Sequence, residues 1–474
     1  MKVPLHKPKL LIIVLSQQRE DDIPDQAAKI IPPLSAMLLA AMTPPVVEIE
    51  LLHEVLRPVD YHTDADFIAL SFLESSAVHA YEVASHFRGV GRIVVAGGRY
   101  VTAFPDEVQA HFDSILVGEA HHVWPRLVED MVAGRLKPRY IADDSAPLTD
   151  IPSPRYDLIE RDFLVPIVTE TTRGCPHSCS YCHLNIRPTP LRKRPIEEVL
   201  RDLRNIWGLP FLKRKYAVLI DDNFGGDIVY AKRLLREIAL LKFWGIGIQC
   251  SVDCLHDEEF IELLRDARCR LVLIGMDSLN QASLVHIKKT QNRTDAYRTL
   301  FARLHRNGIV SFASVKFGFD QDTAEYYRSL PSAIAEVNPA LLYPEMVTPH
   351  VGTPLYLQTL TEGRLHDQDL THYTGKHMVF DHPTLTSVEL LNAYRSVSRQ
   401  FYTRKAIFRR WWLLLRALVH TTPIPAMLSR GIFMTLVYWV MSRRQRRQVL
   451  EGKKQGPMQR THGAEHASMT GQPV

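Results

Sequence analysis

Thr171-Thr172-Arg173-Gly174-Cys175-Pro176-His177-Ser178-Cys179-Ser180-Tyr181-Cys182 sets three thiols on one tight loop, with three and then two residues between them. The loop follows a strand-like run at 165–171. Three soft ligands suit an iron–sulfur cluster better than a structural zinc, which closes its shell with four. His177 or His183 could complete a Cys3His zinc site, so a zinc-stabilised binding module stands as the alternative on these residues alone. The remaining cysteines, Cys250, Cys254 and Cys269, have the spacing of incidental core residues. Six cysteines in a chain of this size do not make a secreted disulfide framework.

Outward from the loop, strand-like runs at 165–171, 216–220, 247–251, 271–274, 310–317 and 341–343 are separated by helical periods. Six strand-helix repeats are too few for the eightfold barrel. They predict a partial (β/α)6 barrel over 161–355, with its chemistry at the carboxyl ends of the strands. Upstream, residues 1–142 alternate five strands (10–15, 47–52, 67–72, 93–96, 114–117) with helices beginning near Pro33, Ala77, Pro105 and His122. That pattern predicts a doubly wound α/β domain. Gly97 and Gly98 follow one strand and Gly118 another, at the carboxyl edge where open parallel sheets hold ligands. A Pro-, Asp- and Ser-rich stretch, 143–160, reads as a linker. Residues 356–452 read as a helical C-terminal domain, and 453–474 as a disordered tail.

A chain of 474 residues suggests about three domains. Apolar residues at 46% and charged residues at 23% exclude wholesale disorder and a collagen-like repeat. The absence of a signal-peptide pattern and of any apolar run near 18 residues leads to the expectation of a cytoplasmic protein. The net charge of +5 is concentrated in the tail: residues 404–460 hold 13 Lys and Arg against Glu451, leaving 44 basic and 51 acidic residues elsewhere. A body with that acidic balance argues against a nucleic-acid partner. Trp411, Trp412, Phe433 and Trp439 interleave the tail's arginines, a composition suited to peripheral contact with anionic headgroups on the inner face of a membrane. Its second apolar run, 431–441, is too short to cross about 30 Å of hydrocarbon.

The cysteine spacing and its loop resemble those of the radical S-adenosylmethionine (SAM) enzymes. The resemblance implies that Cys175, Cys179 and Cys182 hold three irons of a [4Fe-4S] cluster, whose open fourth iron takes the amino and carboxylate groups of SAM. It places Tyr181 against adenine, Asp222 and Asn223 near the methionyl amine, and Ser251 and Asp277 near the ribose or carboxylate; relatives often carry Glu where Asp277 stands. An electron from a donor such as flavodoxin or ferredoxin would then release a 5'-deoxyadenosyl radical. The first domain looks like that of the cobalamin-binding subgroup, through Pro33-Leu34-Ser35-Ala36, Ala96-Gly97-Gly98-Arg99, Phe104-Pro105-Asp106-Glu107 and Val117-Gly118-Glu119. Ser71, Gly97, Gly98 and Gly118 would lie nearest cobalamin. The histidine many cobalamin proteins carry after the first strand is missing from Ser16-Gln17-Gln18-Arg19-Glu20-Asp21. Lys289-Thr290-Gln291-Asn292, Gly318-Phe319-Asp320-Gln321-Asp322-Thr323, Thr353-Pro354-Leu355-Tyr356 and Glu362-Gly363-Arg364-Leu365 resemble the branch that includes the hopanoid C-2 methylases. The implied reaction is methylation of an unactivated carbon of a lipid or other natural product, with cobalamin as methyl carrier. A cobalamin-independent radical rearrangement, dehydration or coupling is the alternative.

Overall fold

Strands buried on both faces need apolar residues at almost every position, and the first sheet has them. In the computed structural model, which describes residues 7–16, 31–158, 163–204, 215–419, 435, 438–443 and 446, this sheet contains β1 (Lys9–Val14), β2 (Glu48–His53), β3 (Phe67–Ser71), β4 (Ile93–Gly97), β5 (Ser114–Val117) and β6 (Arg139–Ile141). All are parallel, in the order β2-β1-β3-β4-β5-β6. Leu10 and Ile12 pack on one face with Met37, Leu38, Trp124 and Leu127. Leu11 and Ile13 pack on the other with Ala80, Phe87 and Val101. The strand order reverses between β1 and β3, so a crevice opens at the carboxyl edge. The sequence reading missed β6: it has three residues, only Tyr140 of which is buried.

The stretch after β6 is no loose tether. Leu148, Ile151 and Tyr156 are buried in the core of the first domain, and the Tyr156 hydroxyl donates to the Val168 carbonyl at 2.8 Å. Its polar composition hides apolar residues spaced to pin it down as a packed strap.

The second sheet contains β7 (Ile167–Thr169), β10 (Tyr216–Leu219), β11 (Gly245–Cys250), β12 (Cys269–Asp277), β13 (Val310–Phe317) and β14 (Leu341–Met346). Each lies beside its neighbour in the series, all parallel, giving an open partial barrel. A short antiparallel hairpin, β8 (Thr172–Arg173) and β9 (Arg192–Lys193), brackets the cysteine loop and was not foreseen. Crossover helices start where side chains satisfy their first amide groups: Asp227 accepts from the Tyr230 amide, Asp257 from Phe260 and Thr323 from Tyr326. Beneath β7, the wholly buried Arg194 and Asp202 pair at 2.8 Å. Strand β12 also runs three residues further than expected, so Gly275, Met276 and Asp277 belong to the strand.

After helix Pro354–Thr361, residues 362–386 are mostly irregular, with an antiparallel bridge between Leu365 and Phe380, and two longer helices follow. Helix Ser387–Phe401 opens with a capping box between Thr386 and Glu389. Just beyond it, the Tyr402 hydroxyl donates to the Leu342 carbonyl at 2.5 Å and accepts from its amide at 2.9 Å, occupying the free edge of β14. Helix Arg404–Val419 follows. The expected disordered tail, most of the second apolar run and residues 17–21 lie outside the described residues. Among the described residues, no helix is long and apolar enough to cross a membrane.

Barrel packing carries a pH signature. His305, in helix Tyr297–Arg306, lies 2.8 Å from the Ser311 hydroxyl of β13, and burial pushes its pKa down to about 4. Between that value and about 6.5 the unfolded chain takes up a proton that the folded chain refuses. The stability this neutral imidazole contributes is complete above about pH 6.5 and is lost as pH falls through 4, on the order of 3 kcal/mol. We expect His305→Gln to flatten the fall of melting temperature between about pH 7 and about pH 4.5; parallel curves for both proteins would refute this.

Candidate functional site

The cysteine loop is fastened at its root. Asp221, just past β10, accepts the amides of Thr171 at 2.6 Å and Thr172 at 2.7 Å, and both threonine hydroxyls. Burial pushes its carboxyl up to about 7 against the pull of those donors. The loop therefore leaves the sheet in one direction, with all three cysteines unpaired. Asn223 sends its amide toward Cys175 Sγ at 3.8 Å and Ser251 Oγ at 2.9 Å, while its carbonyl oxygen accepts the Ser251 amide at 3.0 Å. Gln291 reaches Cys179 Sγ at 3.8 Å. Burial pushes the thiols of Cys175, Cys179 and Cys182 up, the last to about 11, so a positive partner is needed to hold them as thiolates. Among the described residues, no three Cys, His, Asp or Glu side chains converge as on a single metal ion.

Asp222 accepts from the Gly174 amide at 3.1 Å, and burial pushes its pKa up. Such a carboxylate is short of positive charge and suits an ammonium ligand. Asp277 is different. Its carboxylate accepts from the Tyr181 hydroxyl, the Lys289 ammonium and, at 2.6 Å, the Ser314 hydroxyl. Burial alone would raise its pKa, but Lys289 and then Lys316 hold it well below the usual carboxylate range. The carboxylate is thus committed within the protein and fixes Tyr181. The Tyr181 ring has the Lys316 ammonium 5.4 Å from its centroid and that of Lys289 at 5.9 Å. Lys289 stands in a motif visible in the sequence; Lys316 and its partner Glu345, 2.6 Å away, carried no local signal.

The two sheets meet at their carboxyl edges. Glu119, after β5, accepts from Arg173 at 2.9 Å and from Arg192 on the bracketing hairpin. Arg173 also grips Glu170 through both oxygens. Burial opposes ionisation of Glu119, but Arg192 and then Arg173 keep its pKa low. Next to this clamp, a cavity of about 620 Å³ runs between the first sheet and helix Leu34–Met42. Ser71, Gly97, Gly98 and Gly118 all line it. Gly98 has φ +119, and a Cβ there would lie 2.6 Å from the Phe72 carbonyl oxygen, so only glycine fits. A second chamber of about 130 Å³ opens beside Tyr181, walled by Glu74 and Arg99 from the first domain and by Lys316, Glu345 and His350 from the barrel. His350 Nδ1 meets Glu74 at 2.5 Å across the junction. The sequence reading did not find this chamber, because its walls come from distant segments.

The sequence profile of the Radical SAM superfamily matches residues 169–328, spanning β7 to the fifth crossover helix. Residues 169–328 are a radical SAM domain. The chain is similar to bacteriochlorophyllide d C-8(2)-methyltransferase of Chlorobaculum tepidum, 29% identical over 396 residues that cover 79% of this chain and 86% of the relative. It is also similar to hopanoid C-2 methylase of Rhodopseudomonas palustris, 24% identical over 73% of this chain and 67% of the relative. Among solved structures, TsrM from Kitasatospora setae, a radical SAM methyltransferase with cobalamin and a [4Fe-4S] cluster bound, superposes with TM-score 0.61 at 15% identity over 94% of this chain and all of that one. That likeness shows the fold of the chain, a doubly wound domain ahead of a partial barrel. With an enzyme domain at the loop, the zinc-stabilised binding module is set aside.

The committed state of Asp277 is testable without any ligand. Asp277→Asn leaves the Lys289 ammonium buried without its counter-charge, which costs about 3–5 kcal/mol. The melting temperature of the protein without SAM should fall accordingly; an unchanged value would mean that Asp277 serves a ligand rather than the fold.

Proposed function

We propose that this radical SAM enzyme methylates an unactivated carbon, with a cluster on Cys175, Cys179 and Cys182 and cobalamin between its two domains. The observation that carries the reading is the facing of two carboxyl edges, one bearing three unpaired thiols and the other a glycine-lined cavity. The donor set fits a cluster, since three thiols on one loop leave a fourth position open. The cavity fits an extended ligand, for it has apolar walls at Leu38, Leu39 and Trp124 and a mouth lined by glycine. Cys175, Cys179 and Cys182 would hold the cluster, which would supply reductive cleavage of SAM, and the cavity would hold cobalamin, which would supply methyl-carrier chemistry.

This chain's own residues do the positioning. Asp222 binds the methionyl ammonium, Asn223 and Ser251 order the cleft beside Cys175, and Tyr181, locked by Asp277 and Lys289, offers a fixed ring to adenine. Glu119 and its two arginines hold the sheets at one separation. A flavodoxin or ferredoxin is the fitting electron donor. Anaerobic reconstitution should give about four irons and four sulfides per chain, as a [4Fe-4S] cluster requires, with 5'-deoxyadenosine released under reductant. Each of Cys175→Ala, Cys179→Ala and Cys182→Ala should abolish that release. Expression with the vitamin supplied should give stoichiometric corrinoid; turnover by corrinoid-free enzyme would instead favour rearrangement, dehydration or coupling.

A second observation bears on where the enzyme works. On helix Arg404–Val419 one face is packed, with Ile407 and Leu414 buried and the Arg410 guanidinium 3.6 Å from the Phe401 ring centroid. The other face exposes Arg404, Lys405, Phe408, Arg409, Trp412, Leu413 and Arg416 in one stripe. Basic groups interleaved with aromatic ones suit the headgroup region of an anionic bilayer, each cation adding on the order of 1 kcal/mol. We read this stripe as a peripheral contact with the cytoplasmic face of a membrane, which would bring an amphiphilic substrate to the site. In flotation at low salt the protein should rise with anionic vesicles and stay behind with neutral ones, and Phe408→Ser with Trp412→Ser should abolish the rise. Equal flotation of wild type and double variant would rule the stripe out.

A further inference from the structure

The chamber beside Tyr181 holds an unbalanced set of hydrogen-bonding groups. Glu345 accepts from Lys316 at 2.6 Å, and Glu74 meets His350 at 2.5 Å, so both carboxylates in the wall have a partner. Arg99 lines the same chamber, and its side chain makes no hydrogen bond or ion pair among the described residues. Its place is set by the backbone, since it follows Gly98 at the end of β4 and opens the short helix Arg99–Ala103. Its charge acts on Glu74, on Asp222 and on His183, which puts it within electrostatic reach of both the domain junction and the cysteine loop. A half-buried guanidinium has five donors to satisfy, and its planar fork matches a carboxylate through two parallel bonds.

We propose that Arg99 binds a carboxylate in this chamber, and that the carboxylate belongs to the molecule being methylated. The second half of the proposal rests on the methylase reading. SAM carries a carboxylate too, but in that reading the open iron takes it, whereas Arg99 comes from the opposite domain and faces the space left for substrate. The substrate class is then an acid with an apolar body. A neutral hydrocarbon would leave the guanidinium in the chamber without an acceptor.

Saturation-transfer NMR on the full chain, reconstituted anaerobically and loaded with hydroxocobalamin, tests this with propionate as probe and propionamide as neutral control. Propionate should show transfer and propionamide should not. Arg99→Gln should weaken the propionate signal by about tenfold or more, the loss expected for one charge-assisted contact, and Arg99→Lys should restore part of it. Transfer that persists at saturating SAM assigns the carboxylate to substrate. Displacement of propionate by SAM would overturn that assignment, and equal signals from wild type and Arg99→Gln would overturn the site. Failure of the methylase reading shows itself separately, as wild-type enzyme that takes up no corrinoid or releases no 5'-deoxyadenosine.

Discussion

One carboxylate, that of Glu119, carries the junction on which the rest of the molecule depends. It leaves the carboxyl edge of the first sheet and is gripped by guanidinium groups from Arg173 and Arg192, one on each strand of the hairpin that brackets the cysteine loop. Charges held this far from water, with Arg192 buried and Glu119 and Arg173 partly so, are unfavourable singly and tolerable as a set, because each loses part of its water and regains the difference from its partners. The set therefore acts as a geometric specification. It ties the glycine-lined edge to the hairpin that brackets the thiols. His350 and Glu74 repeat the arrangement on the far side of the chamber.

Inside this frame, the barrel uses polar residues in two distinct ways. Some hold the protein: Asp221 fixes the root of the loop, and Asp277 fixes the tyrosine. Others are left with capacity to spare, as Asp222 is on the loop side and Arg99 on the opposite wall. The difference lies in how many donors or acceptors the fold itself supplies. Residues one position apart, Asp221 and Asp222, fall on opposite sides of that division: Asp221 accepts two amides and two hydroxyls, Asp222 one amide.

The sheets were legible in the sequence because parallel strands covered on both faces are written as short β-branched runs, and the cysteine loop because its spacing is local. Strand β6 and the hairpin were not, since three-residue and two-residue strands have too few positions to show a period. The packed strap was misread for a related reason: proline, aspartate and serine mark irregular backbone, yet irregular backbone can still bury Leu148, Ile151 and Tyr156. The protein partners of Asp277 were not legible, because Lys289 and Ser314 reach it from 12 and 37 residues away. The chamber walls, drawn from residues near 74, 99, 181, 316 and 350, meet only through the junction of two domains, and no single-sequence pattern records that meeting.

The hydroxyl of Tyr402 has a wider implication. An open barrel ends in a strand whose outer amides and carbonyls invite another chain, and here a single phenol occupies that edge at Leu342. The helix that delivers it, Ser387–Phe401, is thereby part of the barrel in all but secondary structure. Anyone exchanging C-terminal regions between related enzymes to transfer substrate preference should keep everything through residue 402 with its own barrel and join after it. A graft made at the apparent end of the barrel, near residue 355, would hand the recipient an uncovered strand.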